Sequence, residues 1–267
     1  MFNKRIFNMI GYVLLFLGIS MFFSLIWSYL DNSNDFMAIL YSILITSGFG
    51  LLLIIFTQLK ITKIFPYFSF QDRDKLDLSH RDGYVLVTLS WLMMAIFGSL
   101  PYYFYGDPFN TYINCFFESI SGLTTTGATI LSSQDFTSIP RGLMFWRSFT
   151  QFIGGIGIIV FSIAILPLMG FGGVQLFRAE VAGPVADKLS PRIKQTAKLL
   201  WGIYIGLIIS QTVILMIEGI NFYDSITHSF TTIATAGFST HSESIAYFPP
   251  IVQYTIVIFM LIAASSF

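Results

Sequence analysis

The stretch Ser121-Gly122-Leu123-Thr124-Thr125-Thr126-Gly127-Ala128 is rich in hydroxyls and punctuated by glycine, in a chain that is 55% hydrophobic. It holds no acid–base pair and no activated nucleophile. What it can offer is backbone carbonyl oxygen. Glycine reaches positive φ and can turn its carbonyl inward without a Cβ clash. Threonine hydroxyls bond locally and brace such a turn. In ion filters, rings of carbonyls replace the hydration shell of a cation. The chemistry to expect is therefore coordination of a partly dehydrated cation. Ala234-Thr235-Ala236-Gly237-Phe238 repeats the pattern. The candidate ion-binding residues are Thr124, Thr125, Thr126 and Gly127, with Ala234, Thr235, Ala236 and Gly237.

Enzyme chemistry has no foothold in the sequence. Gly-x-Ser-x-Gly, a Walker loop, His-Glu-x-x-His and a carboxylate–histidine cluster are all missing. No catalytic residue, no covalently bound cofactor and no transition-metal site is expected. His80, His228 and His241 are scattered and read as structural or solvated side chains. A formal net charge of zero gives no reason to expect nucleic acid. The single cysteine, Cys115, excludes an intrachain disulfide and reads as a packed thiol.

Only 10% of the 267 residues are charged, and the mean hydropathy is +0.74. Soluble domains carry about 25% charged residues, so this is an all-α integral membrane protein. A spanning helix needs about 20 apolar residues. Met9–Leu30, Phe36–Leu59, Tyr84–Tyr105, Leu143–Met169 and Leu199–Ile217 qualify, and a further run follows Pro249-Pro250. Met9–Leu30 has no small-residue cleavage site after it and reads as a mature helix, not a signal peptide. Two apolar runs, Phe109–Ile120 and Phe222–Ile233, are too short to cross. Each stands directly before one of the glycine turns.

Charge supports re-entry of those short segments. Of the 14 Lys and Arg residues, all but Arg141 and Arg147 fall on one side if both segments dip in and return. Among them are Lys4, Arg5, Lys60, Lys63, Arg73, Lys75, Arg81, Arg178, Lys188, Arg192, Lys194 and Lys198. By the positive-inside rule that side is the cytoplasm, which places the N-terminus there.

An internal repeat agrees. A shift of 110 residues lays Trp91 on Trp201, Ser119 on Ser229, Thr125 on Thr235, Gly127 on Gly237 and Pro140 on Pro250. The order of elements is the same in both copies, which is a common way to build a transport pathway. The domain reading is therefore 1–82 for two additional helices and a cytoplasmic loop, 83–192 for a first helix–short-helix–helix unit, and 193–267 for a second unit cut short in its last helix. The sequence is expected to be a piece of a longer protein, because two turns cannot surround an ion and a ring of four is the expected geometry.

Supporting residues surround the turns. Glu118 lies just before the first turn. It would either raise local cation concentration or brace the loop through backbone N–H groups, with Arg147 as its partner; the alternative is that both side chains snorkel to the interface. Gly154, Gly155 and Gly157 would let α-helices pack closely, behind the filter or at a generic helix contact.

Four stretches carry a resemblance. They are Phe117 through Thr129, Phe145 through Gly157, Leu176 through Pro184 with Asp187 through Arg192 and Thr196 through Lys198, and Thr232 through His241. In these the chain resembles the N-terminal half of the TrkH-type potassium uptake proteins, within the wider Trk/Ktr/HKT superfamily. The resemblance implies four helix–pore-helix–helix units in a full-length chain, with re-entrant filter loops around a pseudo-fourfold pore. It implies potassium as the transported ion and one key glycine per loop, here Gly127 and Gly237. It implies a homodimer in the bacterial inner membrane lipid bilayer, on a cytoplasmic nucleotide-binding TrkA-type regulatory subunit. The third and fourth units are missing here. A non-transporting assembly or sensor protein of the same fold is the alternative, and a membrane-embedded enzyme a weaker one. A sodium-selective relative is a third, although the plant HKT branch associates that preference with serine at the first-unit glycine. The residues leave open whether passage is channel-like or coupled to protons or sodium.

Overall fold

A computed structural model describes residues 4–58, 80–165 and 186–265. The basic residues Lys60, Lys63, Arg73, Lys75 and Arg178, and the stretch Leu176–Pro184, lie outside the described residues. Among those described, the secondary structure is helical. The helices are α1 (Lys4–Asp31), α2 (Phe36–Gln58), α3 (His80–Gly98), α4 (Leu100–Tyr105), α5 (Tyr112–Leu123), α6 (Arg141–Ile165), α7 (Ala186–Ile217), α8 (Phe222–Ile233) and α9 (Pro250–Ala264).

Four segments are long and apolar enough to cross a membrane: Lys4–Asp31, Phe36–Gln58, Asp82–Tyr105 and Lys198–Ile217. Their outward residues, such as Phe16, Ile19, Phe22, Leu44 and Leu52, are exposed and suit lipid. The expected span from Leu143 corresponds to α6, whose side chains are described as far as Gly157. Its first half carries Arg147, Ser148, Thr150 and Gln151, and all of these are buried in protein. The third crossing is interrupted at Ser99, just before Pro101, whose ring and missing N–H break the helical ladder. Trp146 Nε1 donates to the Gly98 carbonyl at this break, 2.9 Å away.

The two short segments are helices of 12 residues each. At 1.5 Å per residue, such a helix covers about 18 Å of a hydrocarbon core about 30 Å thick. The bounds of α8 are those of the apolar run, Phe222–Ile233. The first short helix starts later than its apolar run, at Tyr112 in place of Phe109. Phe109 is fully buried and stacks on Tyr102 with centroids 4.7 Å apart. Asn110 turns at φ 43°, and Thr111 Oγ1 then accepts from Asn114 N at 3.3 Å. Core packing thus takes the first apolar residue out of the helix, and a threonine opens it. With this start, α5 and α8 are offset by the same 110 positions as the sequence repeat.

The chain divides into two compact units. The first comprises Met1–Leu123 with Ala128–Arg147, and the second comprises Thr124–Gly127 with Ser148–Phe267. In the first unit, α1 ends where Asn32 takes positive φ (55°) and Ser33 N donates back to Ser28 O at 3.1 Å. The turn places Asp35 in a fully buried position. Ser28 and Ser33 donate to its Oδ1, and Leu143 N donates to its Oδ2 at 3.0 Å. A carboxylate from the α1–α2 turn therefore caps the start of α6, where free N–H groups favour an anion. Nearby, Asp31 pairs with Arg141, which is about half exposed.

These two aspartates differ in consequence. Asp35→Ala removes a buried charged acceptor and is expected to cost about 2 kcal/mol. Asp31→Ala breaks an exposed pair and should cost under about 1 kcal/mol. Thermal unfolding of the complete protein in detergent checks this, and equal shifts in midpoint would refute the assignment.

Candidate ion-filter site

The site is built from two turns at the C-terminal ends of the short helices. Their backbones share a signature. Thr125 and Thr235 both have φ 54°, and the glycines two positions later have φ 75° (Gly127) and φ 96° (Gly237). A β-branched residue in the left-handed region costs of order 1–3 kcal/mol and persists only where the surroundings enforce it. The same strain at both repeat positions marks a shared conformation. In the second turn, Thr235 N and Ala236 N donate to Thr232 O and Thr231 O at 3.0 and 2.9 Å. These bonds occupy the carbonyls at the end of α8 and close the turn.

Thr124–Gly127 lies in the second compact unit, together with Ala234–Gly237. A Cβ on Gly127 would overlap the Ala236 carbonyl oxygen, so the Gly127 backbone lies directly against that oxygen. Gly237 has open space around it, and only its positive φ calls for glycine. Thr124 and Thr126 hydroxyls bond to each other at 2.8 Å. At the base of the first turn, Ser121 Oγ donates to Ala128 O at 2.6 Å.

Glu118 is fully buried on α5. It accepts from Thr129 Oγ1 at 2.9 and 3.1 Å and from Ile130 N at 3.1 Å. Arg147, 2% exposed, donates from Nε to its Oε1, and the guanidinium carbon lies 5.5 Å from the Phe136 ring centroid. The carboxylate thus holds the chain that leaves the first turn, and the buried arginine compensates its charge. Gly155 lies on α6 where a Cβ would meet the Tyr204 hydroxyl and, at 3.2 Å, Ala234 Cβ. It therefore packs directly behind the second turn. Gly154 is buried and Gly157 half-buried on the same helix. Phe230 of α8 sits 5.5 Å from Phe149 and 4.8 Å from Phe152 of α6, and Tyr204 of α7 stacks on Phe152. Gln151 Oε1 accepts from Phe238 N at 3.2 Å. Beside the second turn is a cavity of about 320 Å³, lined by His228, Thr231, Thr235, Gly237, Ile256 and Met260 among others.

Sequence reasoning passed over a polar cluster around α8. Asn221 caps the helix, its side chain accepting from Asp224 N at 2.9 Å. Asp224 receives Thr240 Oγ1 at 2.7 Å and lies 3.4 Å from His241 Nε2. Burial pushes the Asp224 carboxyl up, but the nearby His241 ring and hydrogen bonds from Thr240 and Asn221 outweigh it and hold it well below the usual carboxylate range. His241 stacks on Tyr247 at 3.8 Å. His228 is 3% exposed, with both ring nitrogens engaged, and is not a solvated residue. The signal for it was present as a register: His228 falls 110 positions after Glu118.

Among the described residues, no group of three or more His, Cys, Asp or Glu side chains could hold a metal ion. Cys115 is a buried free thiol.

Strained glycine-bearing turns at the ends of helices too short to span, in an otherwise apolar helical chain, mark a polytopic membrane protein. Residues 51–267 match the TrkH family, described as "Cation transport protein". The chain is 46% identical over 197 residues to the Trk system potassium uptake protein TrkH of Vibrio parahaemolyticus, covering 73% of this chain and 40% of that protein. It is 39% identical over 194 residues to the Trk system potassium uptake protein TrkG of Escherichia coli, covering 72% and 40%. The crystal structure of the potassium transporter TrkH from Vibrio parahaemolyticus matches with a TM-score of 0.78 at 32% identity, over 99% of this chain and 50% of that one. The chain thus spans about 40% of the length of these curated relatives, and it belongs to the TrkH family of cation transport proteins.

The two glycines predict different sensitivities. Gly237→Ala meets only the cost of positive φ, about 1–2 kcal/mol. Gly127→Ala meets that cost and the Ala236 carbonyl as well. The folded yield of the complete protein should fall further for Gly127→Ala, and the reverse order would contradict the geometry.

Proposed function

We propose that this chain forms half of a potassium uptake pathway and supplies two of its four filter turns. Backbone carbonyls of Thr124, Thr125, Thr126 and Gly127, and of Ala234, Thr235, Ala236 and Gly237, replace part of the hydration shell of the passing ion. The observation that carries the reading is the matched left-handed geometry at 125/127 and 235/237, with the Ala236 carbonyl against Gly127. Within hydrocarbon, non-helical backbone survives only where it is buried in protein or lines water. Two such turns, each at the carbonyl end of a short helix, present the negative end of a helix dipole to a cation. The names of the relatives as potassium uptake proteins support the choice of ion.

In this reading, 83–192 and 193–267 are the first and second repeat units, after two additional helices within 1–82. Glu118 and Arg147 hold the first turn, and Gly154, Gly155 and Gly157 provide close packing behind the second. The protein works in the bacterial inner membrane with its N-terminus in the cytoplasm, as a homodimer on a cytoplasmic nucleotide-binding subunit of TrkA type. The ion is cargo, and no bound cofactor or nucleic acid takes part.

The test is growth of an uptake-deficient bacterium at limiting potassium, carrying the complete gene. Rescue is expected; correct insertion without rescue would favour a non-transporting relative. Glu118→Gln should lower the uptake rate by about tenfold, through loss of a charge-assisted brace. Glu243→Gln, at an exposed loop position, should leave it nearly unchanged. Equal effects of the two substitutions on uptake would sink the bracing role.

A further inference from the structure

The first turn is held by a relay of three groups. Glu118 on the short helix accepts from the hydroxyl of Thr129, two residues past Gly127, and that hydroxyl accepts from Leu131 N at 3.1 Å. The second turn has the same relay in different chemistry. His228 Nε2 lies 3.1 Å from the hydroxyl of Ser239, two residues past Gly237, and that hydroxyl accepts from His241 N at 3.0 Å. All three members are displaced by the repeat length: 118 to 228, 129 to 239, and 131 to 241. The other imidazole nitrogen, Nδ1, is 2.8 Å from the Asp224 carbonyl. A carbonyl only accepts, so Nδ1 carries the proton, and in the neutral ring Nε2 is an acceptor. Ser239 then donates to Nε2, as Thr129 donates to Glu118.

The difference in residue type has a physical reason. The position equivalent to Arg147 is Val257, so a carboxylate at 228 would be buried without that cation and within electrostatic reach of Asp224, one helical turn away. A neutral imidazole accepts the same hydroxyl without importing charge, which avoids the cost of an unpaired buried ion. Phe248 meets the ring edge-on, with centroids 5.0 Å apart, and fixes its plane.

We infer that His228 is the positioning residue of the second turn: a neutral, Nδ1-protonated imidazole that fixes Ser239, and through it the chain leaving Gly237. It does without charge what Glu118 and Arg147 do for the first turn. The inference rests on the reading of both turns as filter elements, and its test separates the two.

One arm needs no transport. In the complete protein labelled with ¹⁵N-histidine, with His228→Gln used to assign its signals, the His228 ring should show the Nδ1–H neutral tautomer. An imidazolium or an Nε2–H ring would overturn the proposal. The second arm measures potassium-over-sodium discrimination. Ser239→Ala and His228→Leu should each reduce it by about tenfold, the order of one net hydrogen bond. The double variant should lose no more than the worse single, because both remove one interaction. Ser239→Thr, which keeps the hydroxyl and matches the first turn, should restore most of it, and His228→Glu should be worse than His228→Leu. Multiplying losses in the double variant, or Ser239→Thr as poor as Ser239→Ala, would show His228 to be packing alone. If the wild-type protein itself fails to discriminate, the filter reading falls while the tautomer result still stands.

Discussion

The structure depends on one constraint: a backbone that stops being helical at membrane depth must satisfy its own polar groups. Water is not available there as a default partner, and each unmet group costs several kcal/mol. The two glycine turns are where this chain meets the constraint. Carbonyls left over at the end of α8 are taken by Thr235 and Ala236 N–H groups. N–H groups beyond the turns are taken by side chains: Ile130 by Glu118, Phe238 by Gln151, and His241 by Ser239. What remains is the carbonyls of the turns themselves, and a cation is the natural partner for them. The polar face of α6 follows from the same constraint. Arg147 and Gln151 each meet a need created by a turn.

The duplicated relay shows that what repeats is the connection, while the residues making it differ. A carboxylate balanced by a guanidinium does the work in the first copy, and a neutral imidazole in the second. Both put an acceptor on the short helix and a hydroxyl two residues past the glycine. Asp224 lies on the same short helix as His228, its carboxyl held below the usual carboxylate range by its hydrogen bonds. A further anion at 228 would add like charge in a buried place. The two turns therefore share a backbone shape while their electrostatic supports differ. Ion selectivity in such a ring need not weigh its parts equally.

Much of the architecture was legible in the sequence because it is written in apolar run length and charge. The spans from Phe36, Tyr84 and Leu199 and the short helix Phe222–Ile233 follow from those two signals, while the family was legible in the motif stretches around the two turns. The start of α5 was not legible. Phe109 is apolar, and hydrophobic pattern alone cannot tell a helical residue from a core residue in a turn. The role of Asp35 was not legible either, because it depends on Leu143 N, 108 residues away in the chain. The role of His228, legible only as a structural or solvated side chain, was hidden for a different reason. Spacing of histidines within one segment reports only on metal ligation. The meaning of His228 lies in register against a residue of another type, and identity matching at an offset of 110 residues does not score a glutamate against a histidine.

Glycine itself means two things here that the sequence cannot separate. At Gly237 only the dihedral angle demands it, since the space around it is open. At Gly127 the Ala236 carbonyl occupies the place of a side chain as well. The first glycine is therefore fixed by a neighbour that belongs to the other turn, and its substitution disturbs both loops. A residue that serves two turns tolerates less change than one that serves its own. For a ring assembled from repeats, that makes the turns unequal in mutational sensitivity even where their backbones are alike.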